Sequence, residues 1–240
     1  MKRSEINRLI REAIDLFSKN GFHLPPFAFW GPAVWQETGS EADEIRYNAL
    51  GWDVTDFGLN NFAATGLLLF TIRNGNYGRK KQYPKGYAEK IMMVREEQVT
   101  PMHFHWQKRE DIINRGGGNL VIEMYAADKQ EQLSGEEFAV SIDGVRRILG
   151  PGDRVTLEPG ESICLTPLLY HTFYGEAGRG PVMVGEVSDV NDDHQDNRFL
   201  QSIGRFPAIV EDEPPLYHLC NEYPPAKDEN RTRQEGEAIR

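Results

Sequence analysis

The segment TPMHFHWQKREDIINRGGGN, residues 100–119, holds two histidines and an acid at spacings that suit a metal ion. His103 and His105 are two residues apart, so on a strand both imidazoles leave the same face, with Cα atoms roughly 6.6 Å apart. Glu110 follows five residues later, and His171 offers a third nitrogen from a distant segment. Three nitrogens and one carboxylate leave one or two coordination positions open, as in a catalytic metal centre. We therefore predict a metal site formed by these four side chains.

The predicted ligand set does not select one ion. Mixed nitrogen and oxygen ligation suits Mn, Fe(II), Co, Ni and Zn. The alternative interpretation is that His103 and His105 are surface or hydrogen-bonded core histidines that bind no metal. His171 reaches the same point only if the sheet closes on itself.

A ladder of short strands is the element that would bring these residues together. Between about residues 66 and 190, short apolar runs alternate with tight-turn residues such as Asn74-Gly75 and Asp143-Gly144. Many short strands with glycine and proline turns are typical of an antiparallel sandwich or barrel. The sequence predicts an all-β core over residues 66–190.

An amphipathic helix and an extended arm precede this core. Apolar residues recur at helical spacing from Ile6 to Phe17, with Ser4 as the expected N-cap and Asn20-Gly21 as the stop. The arm FHLPPFAFWGPAVW, residues 22–35, is rich in prolines, which remove backbone donors, so we expect it to be non-helical.

Composition limits the classes of partner. The 240 residues carry 37 acidic and 27 basic side chains, a formal net charge of -10, which disfavours nucleic acids and anionic membranes as partners. The sequence contains two cysteines, and we find neither a signal peptide nor an apolar membrane span in it. We expect a cytoplasmic protein with one domain over residues 1–225 and a solvated tail over residues 226–240, and a small molecule as its partner.

The predicted metal ligands lie in segments that resemble known family motifs. His103-x-His105-x4-Glu110, followed by Gly116, resembles the first cupin motif, although it lacks the leading glycine, and Gly160 with His171 resembles the second. A closer resemblance extends over nearly the whole chain, to the D-lyxose ketol-isomerase family. It is carried by the segments LGWDVTDFG, LFTIRNGN, QVTPMHFHWQKREDIINRGGGN, PGESICLTPLLYH and GEVSDVNDDHQDNRF.

The resemblance implies a fold, a cofactor and a reaction. The fold is a cupin barrel, the double-stranded β-helix or jelly roll, with the N-terminal helix and arm before it and a C-terminal extension after it. The cofactor is a divalent metal, usually Mn²⁺, with Co²⁺, Zn²⁺, Fe²⁺ and Ni²⁺ as alternatives. The reaction is aldose–ketose isomerisation of a monosaccharide, D-lyxose to D-xylulose and D-mannose to D-fructose. Cupins of this size often pair through sheet edges, so a homodimer is expected.

Such a reaction also needs groups that move a proton between C1 and C2. Glu186 shares its side of a strand with Val182 and Val184, so we expect it to face the barrel interior with a pKa raised by burial. Lys108 lies two residues from Glu110 and could support charge on a sugar oxygen. We predict Glu186 and Lys108 as the proton-transfer pair. The alternatives are a solvated Lys108 and a Glu186 that pairs structurally with an arginine.

Other polar and aromatic residues have two interpretations each. Asp189, Asp193, Asp196 and Arg198 could bind sugar hydroxyls or could satisfy their own loop. Trp106 could form a sugar platform or pack into the core.

Two alternative functions fit the same residues. An Fe(II)-dependent cupin dioxygenase would use the open coordination positions for oxygen and would require oxygen for turnover. A non-catalytic sugar-binding cupin would bind a sugar without converting it.

Overall fold

Two antiparallel sheets and a few helices form the part of the chain that the computed structural model describes, residues 1–192 and 195–226. The helices are α1 Arg3–Lys19, α2 Pro32–Glu37 and α3 Asp43–Tyr47, with short 3₁₀ helices at Pro26–Phe29, Ser40–Ala42 and Tyr77–Arg79. The strands are β1 Gly51–Thr55, β2 Leu67–Arg73, β3 Tyr87–Val94, β4 His103–Phe104, β5 Glu110–Gly117, β6 Leu120–Ala126, β7 Phe138–Ile142, β8 Val145–Leu149, β9 Arg154–Leu157, β10 Ser162–Leu165, β11 Leu169–Gly175, β12 Val182–Asp189 and β13 Arg198–Phe199.

The strand order places residues that are distant in sequence side by side. One sheet has eight strands in the order β1-β2-β3-β12-β5-β10-β7-β8, and the other has five in the order β13-β4-β11-β6-β9. β12 lies between β3 and β5, with Glu186 opposite Lys90 on one side and opposite Ile112 on the other. In the smaller sheet His171 pairs directly with His103. The all-β class predicted from the turn pattern is confirmed.

The main core lies between the two sheets. It contains alternate residues of both sheets, such as Met92 and Val184 from the larger and Ile122 and Phe173 from the smaller. Each such side chain contributes roughly 1.5–3 kcal/mol when it is fully buried. Side chains of β3 and β12 with the opposite parity, such as Ile91 and Met183, belong to a second cluster together with α1. The parity of a strand residue therefore decides whether it faces the inter-sheet space or the helix.

Helix α1 covers the outer face of the larger sheet, as its periodicity predicts, since Ile6, Leu9, Ile10, Ala13 and Phe17 are all fully buried. The predicted start was wrong. The helix begins at Arg3, and Ser4 lies inside its first turn, where its hydroxyl donates to Asp212 (2.7 Å) instead of capping.

The arm after α1 is more helical than predicted. It contains the 3₁₀ helix Pro26–Phe29 and begins α2 at Pro32. Both elements start with proline, whose fixed φ and missing N–H are compatible with a first helical position. Proline therefore starts both of these elements, although it would break a helix at an interior position.

The segment after β13 packs back on α1. Buried Arg3 donates to both Glu211 and Glu222, and Asn7 donates to Glu213 (2.6 Å). Ala226, the first residue of the predicted solvated tail, is buried, and residues 227–240 lie outside the described residues. None of the described helices is long and apolar enough to cross a membrane.

Candidate metal centre and catalytic cavity

Three histidines meet at one end of the inter-sheet space. His103 comes from β4, His105 from the turn that follows it, and His171 from β11. Their potential ligand atoms all lie within 4.8 Å of one another. The ring centroids of His103 and His171 are 4.2 Å apart, as their direct pairing across the two strands requires.

Main-chain carbonyls orient all three rings. The Nδ1 atoms of His103, His105 and His171 lie 2.8, 2.7 and 3.0 Å from the carbonyl oxygens of Pro101, Asp196 and Leu169. A carbonyl oxygen accepts only, so Nδ1 carries the proton and Nε2 carries the lone pair.

The Nε2 atoms of His105 and His171 are available to a metal ion. The buried Nε2 atoms of His105 and His171 have no hydrogen-bond partner in the described part of the chain. Burial, reinforced by repulsion from His171 and His105, lowers the pKa of His103 well below its ordinary value, so the ring is neutral. Buried nitrogen lone pairs without partners that converge on one point fit a divalent metal ion.

Glu110 completes the predicted ligand set. It opens β5, and its Oε1 and Oε2 lie 3.0 Å from Nε2 of His171 and 3.5 Å from Nε2 of His105. Burial raises the pKa of the Glu110 carboxyl, but the Lys108 ammonium 2.7 Å away opposes this, and the net pKa lies well below its usual range. The side chain is therefore a carboxylate. The structure therefore brings the three histidines together and places Glu110 beside His105 and His171.

A charged cluster adjoins the metal end. Lys108 Nζ lies 2.7 Å from Glu110 Oε2 and 3.1 Å from Glu186 Oε1, and both Lys108 and Glu186 are buried. A solvated Lys108 is thus excluded. Within the described residues the cationic partners of Glu186 are Lys108 and Lys90, the latter at 3.1 Å, and not an arginine.

The expected direction of the Glu186 pKa was wrong. Burial raises it, as predicted, but the positive charges of Lys108 and Lys90 lower it by more, so the net pKa lies below the ordinary value. Glu186 is therefore ionised near neutral pH.

Lys90 is the buried cation of this cluster that sequence reasoning missed. It is 5% exposed, and its ammonium also donates to Asn191 (2.7 Å). Its strand alternates in the same way as that of Glu186, because Lys90 shares its face with Met92 and Val94, which belong to the inter-sheet core. A lysine on the apolar face of a strand is a signal that could have found it.

The end of β12 and the acidic segment that follows it support the turn between β4 and β5. Asp189 accepts the backbone N–H of Arg109 (3.1 Å), and Asp196 accepts those of Gln107 and Lys108 (2.9 and 2.8 Å). These two carboxylates therefore bind backbone, which favours the loop interpretation over sugar binding. Asp193 lies outside the described residues.

Two more candidates lie at the edge of the site. Arg198 bonds Glu131 (3.2 Å). Trp106 is 38% exposed, and its indole N–H donates to the same glutamate (2.9 Å).

A cavity connects the metal end with the charged cluster. Its walls are the four predicted ligands, Lys90, Lys108 and Glu186, together with apolar side chains of β2, β3, β5 and β11. Phe57 and Phe199 close one side, with ring centroids 5.9 Å apart. Arg205, paired with Asp53, lies where a second cavity of about 430 Å³ adjoins the first. The enclosed space therefore offers polar groups on several sides of a small polar ligand.

The sequence model of the D-lyxose isomerase family matches residues 1–223. The chain belongs to this family. It is 55% identical over 224 residues to the D-lyxose/D-mannose isomerase of Serratia proteamaculans and 57% identical over 224 residues to that of Escherichia coli O157:H7. Each match covers 93% of this chain and 98% of the relative. The family and these relatives establish an aldose–ketose isomerase, as the sequence resemblance implied.

Solved structures show the same fold at low sequence identity. The L-ribose isomerase of Cellulomonas parahominis without ligand has a TM-score of 0.58 at 16% identity, with 88% of this chain and 98% of that chain covered. The L-ribose isomerase of Acinetobacter sp. DL28 in complex with L-ribose has a TM-score of 0.57 at 15% identity over the same shares. Together with the two packed antiparallel sheets, these matches confirm the predicted cupin fold.

Proposed function

We propose that this enzyme converts D-lyxose to D-xylulose and D-mannose to D-fructose with Mn²⁺ as its metal. The substrates follow from the names of the two relatives, which match at 55% and 57% identity. The observation that carries the reaction type is the shared cavity, in which an ionised glutamate and two lysines lie beside three clustered histidines. Mn²⁺ is one of the ions that nitrogen and carboxylate ligands suit.

The ligand residues define what the metal contributes. His103, His105, Glu110 and His171 would hold the ion, which would act as a Lewis acid that polarises sugar oxygens and stabilises negative charge on them. The remaining steps depend on the charged cluster.

Glu186 is the proposed base. Because it is ionised, it can accept the proton of C2 from an open-chain aldose and return that proton to C1, which converts the aldose into the 2-ketose. Lys90, Lys108 and the Ser188 hydroxyl contact its carboxylate and hold its orientation.

Lys108 is the proposed electrostatic partner. Its ammonium lies between Glu110 and Glu186, so it stands where charge on O1 or O2 of the enediolate would develop. The hydroxyl proton that leaves O2 and the one that arrives at O1 balance in the overall reaction.

A metal-by-sugar screen tests the proposed function. Chelator-stripped protein is supplied with each of Mn²⁺, Co²⁺, Zn²⁺, Fe²⁺ and Ni²⁺ and each of several pentoses and hexoses, and ketose formation is measured. We expect turnover of D-lyxose and D-mannose, strongest with Mn²⁺ and unchanged without oxygen. No ketose from either sugar with any of the ions would contradict the proposal, and oxygen consumption that requires Fe²⁺ would favour a dioxygenase.

We further infer that residues 1–225 act as one domain within a homodimer. The edge strand β8 supports pairing between copies, because its Val145 and Ile148 are 60% and 50% exposed. Light scattering should give twice the mass of the chain, and a monomer at micromolar concentration would contradict the dimer.

A further inference from the structure

The three histidines differ in where their orienting carbonyl comes from. The carbonyls that hold His103 and His171 belong to Pro101 and Leu169, each two residues earlier in the same segment. The carbonyl that holds His105 belongs to Asp196, which is 91 residues away. Two rings are thus oriented locally, whereas His105 depends on the segment that follows β12.

Asp196 contacts the same turn a second and a third time. Its Oδ1 accepts the backbone N–H of Gln107 (2.9 Å), and its Oδ2 accepts that of Lys108 (2.8 Å). Its carbonyl oxygen meets Nδ1 of His105 at 2.7 Å. One residue therefore bonds three points of the four-residue stretch from His105 to Lys108.

This stretch carries one proposed metal ligand and one proposed catalytic group. It is short and lies between β4 and β5, so its shape decides both where His105 Nε2 points and where the Lys108 side chain starts. Asp196 is itself 8% exposed, and the Lys108 N–H lies in a buried environment, so water does not readily replace the lost acceptor.

We propose that Asp196 is a positioning residue that sets the geometry of His105 and Lys108 together. The inference rests on the proposed function, because it assumes that His105 binds the metal and that Lys108 faces the substrate. Asp196 contacts neither reacting atoms nor the ligand nitrogen, and it acts only through the turn.

The choice of aspartate has a physical reason. A carboxylate offers two acceptor oxygens, and here each has its own N–H donor. Asparagine keeps one acceptor and presents an NH₂ group to the other donor, whereas alanine keeps neither. The defect should therefore grow from Asp196→Asn to Asp196→Ala.

Asp189 provides a matched control. It is an exposed aspartate at the end of β12, and its carboxylate accepts the backbone N–H of Arg109 (3.1 Å). It makes no hydrogen bond to His105 among the described residues. Asp189→Asn changes the same chemical group at an equivalent kind of bond.

The first experiment measures amide hydrogen exchange in the metal-free protein. We expect Asp196→Ala to lose protection at Gln107 and Lys108 while the strands keep theirs, and Asp189→Asn to leave both amides protected. Unchanged protection at both amides in Asp196→Ala would overturn the proposal. If the alanine variant does not fold, Asp196→Asn takes its place, with a loss at one of the two amides.

The second experiment measures Co²⁺ binding and turnover. We expect Asp196→Ala to bind Co²⁺ at least about tenfold more weakly, with altered visible absorption of the bound ion and a lower kcat. Asp196→Asn should fall between this variant and the wild type. Wild-type affinity and spectrum in Asp196→Ala would overturn the inference, whereas a wild type that binds no metal would instead contradict the proposed function.

Discussion

At one end of the cavity three imidazoles lie together, with Glu110 beside two of them, whereas at the other end Glu186 contacts both Lys90 and Lys108. The metal end has no redundancy, because each side chain offers a separate ligand. The charged end is redundant, because two lysines and Ser188 all contact the carboxylate of Glu186. Single substitutions should therefore be most damaging at the metal end and graded at the charged end.

The largest effect is expected at the metal end. His171→Ala should remove bound metal and lower turnover by about 10³-fold or more, because the Lewis acid contributes several kcal/mol to the transition state. Metal analysis of the purified protein and a ketose assay measure both quantities. His23→Ala, a change of an exposed histidine, is the control and should change neither. Stoichiometric metal in His171→Ala would remove the proposed site.

Glu186→Gln should separate chemistry from metal binding. The amide keeps the shape of the side chain but cannot accept the proton, so we expect turnover to fall by about 10²–10⁴-fold. The metal content should stay at the wild-type value, since Glu186 is not among the proposed ligands. Full turnover would show that another group is the base.

The two lysines can be compared by the same substitution. Lys108→Met should lower kcat by about 10²-fold, because it removes the cation shared by Glu110 and Glu186. Of these two carboxylates Lys90 contacts only Glu186, and we expect Lys90→Met to lower kcat by about tenfold. Steady-state kinetics on the Mn²⁺ form measures both. Equal losses would mean that contact with Glu110 does not distinguish the lysines.

Ser188→Ala tests the weakest contact of the charged end. Its hydroxyl has one proton to donate and lies 3.0 Å from Glu186 Oε1 and 2.9 Å from the Asp189 carbonyl oxygen. A full hydrogen bond to Glu186 would be worth about 1 kcal/mol, which corresponds to roughly a fivefold change. We expect kcat to fall by no more than that. A loss as large as that of Glu186→Gln would assign the hydroxyl a direct part in proton transfer.

Residue types and strand parity predicted a large part of this arrangement. Two histidines at alternate positions had to share a face, and Glu186 had to share one with Val182 and Val184, because side chains alternate along a strand. Parity needs no knowledge of neighbouring strands, which is why these placements could be read from single segments.

Two predictions failed for a different reason: the pKa of Glu186 and the cap of α1 depend on neighbouring residues that only strand order and packing reveal. The pKa of Glu186 is lowered because Lys90 stands opposite it on β3 and Lys108 reaches it from the β4–β5 turn. Ser4 bonds Asp212 because the C-terminal segment packs on α1. The local sequence around Glu186 or Ser4 does not reveal these contacts.

The cross-strand position of Glu186 and Lys90 has a consequence for assembly of the barrel. If β12 were shifted by two residues along β3, Glu186 would lie opposite Ala88 or Met92. The buried ion pair between Glu186 and Lys90 would then be broken. Breaking a buried pair in this way costs about 3–5 kcal/mol. The proposed base and the lysine opposite it therefore also penalise misaligned strands while the protein folds.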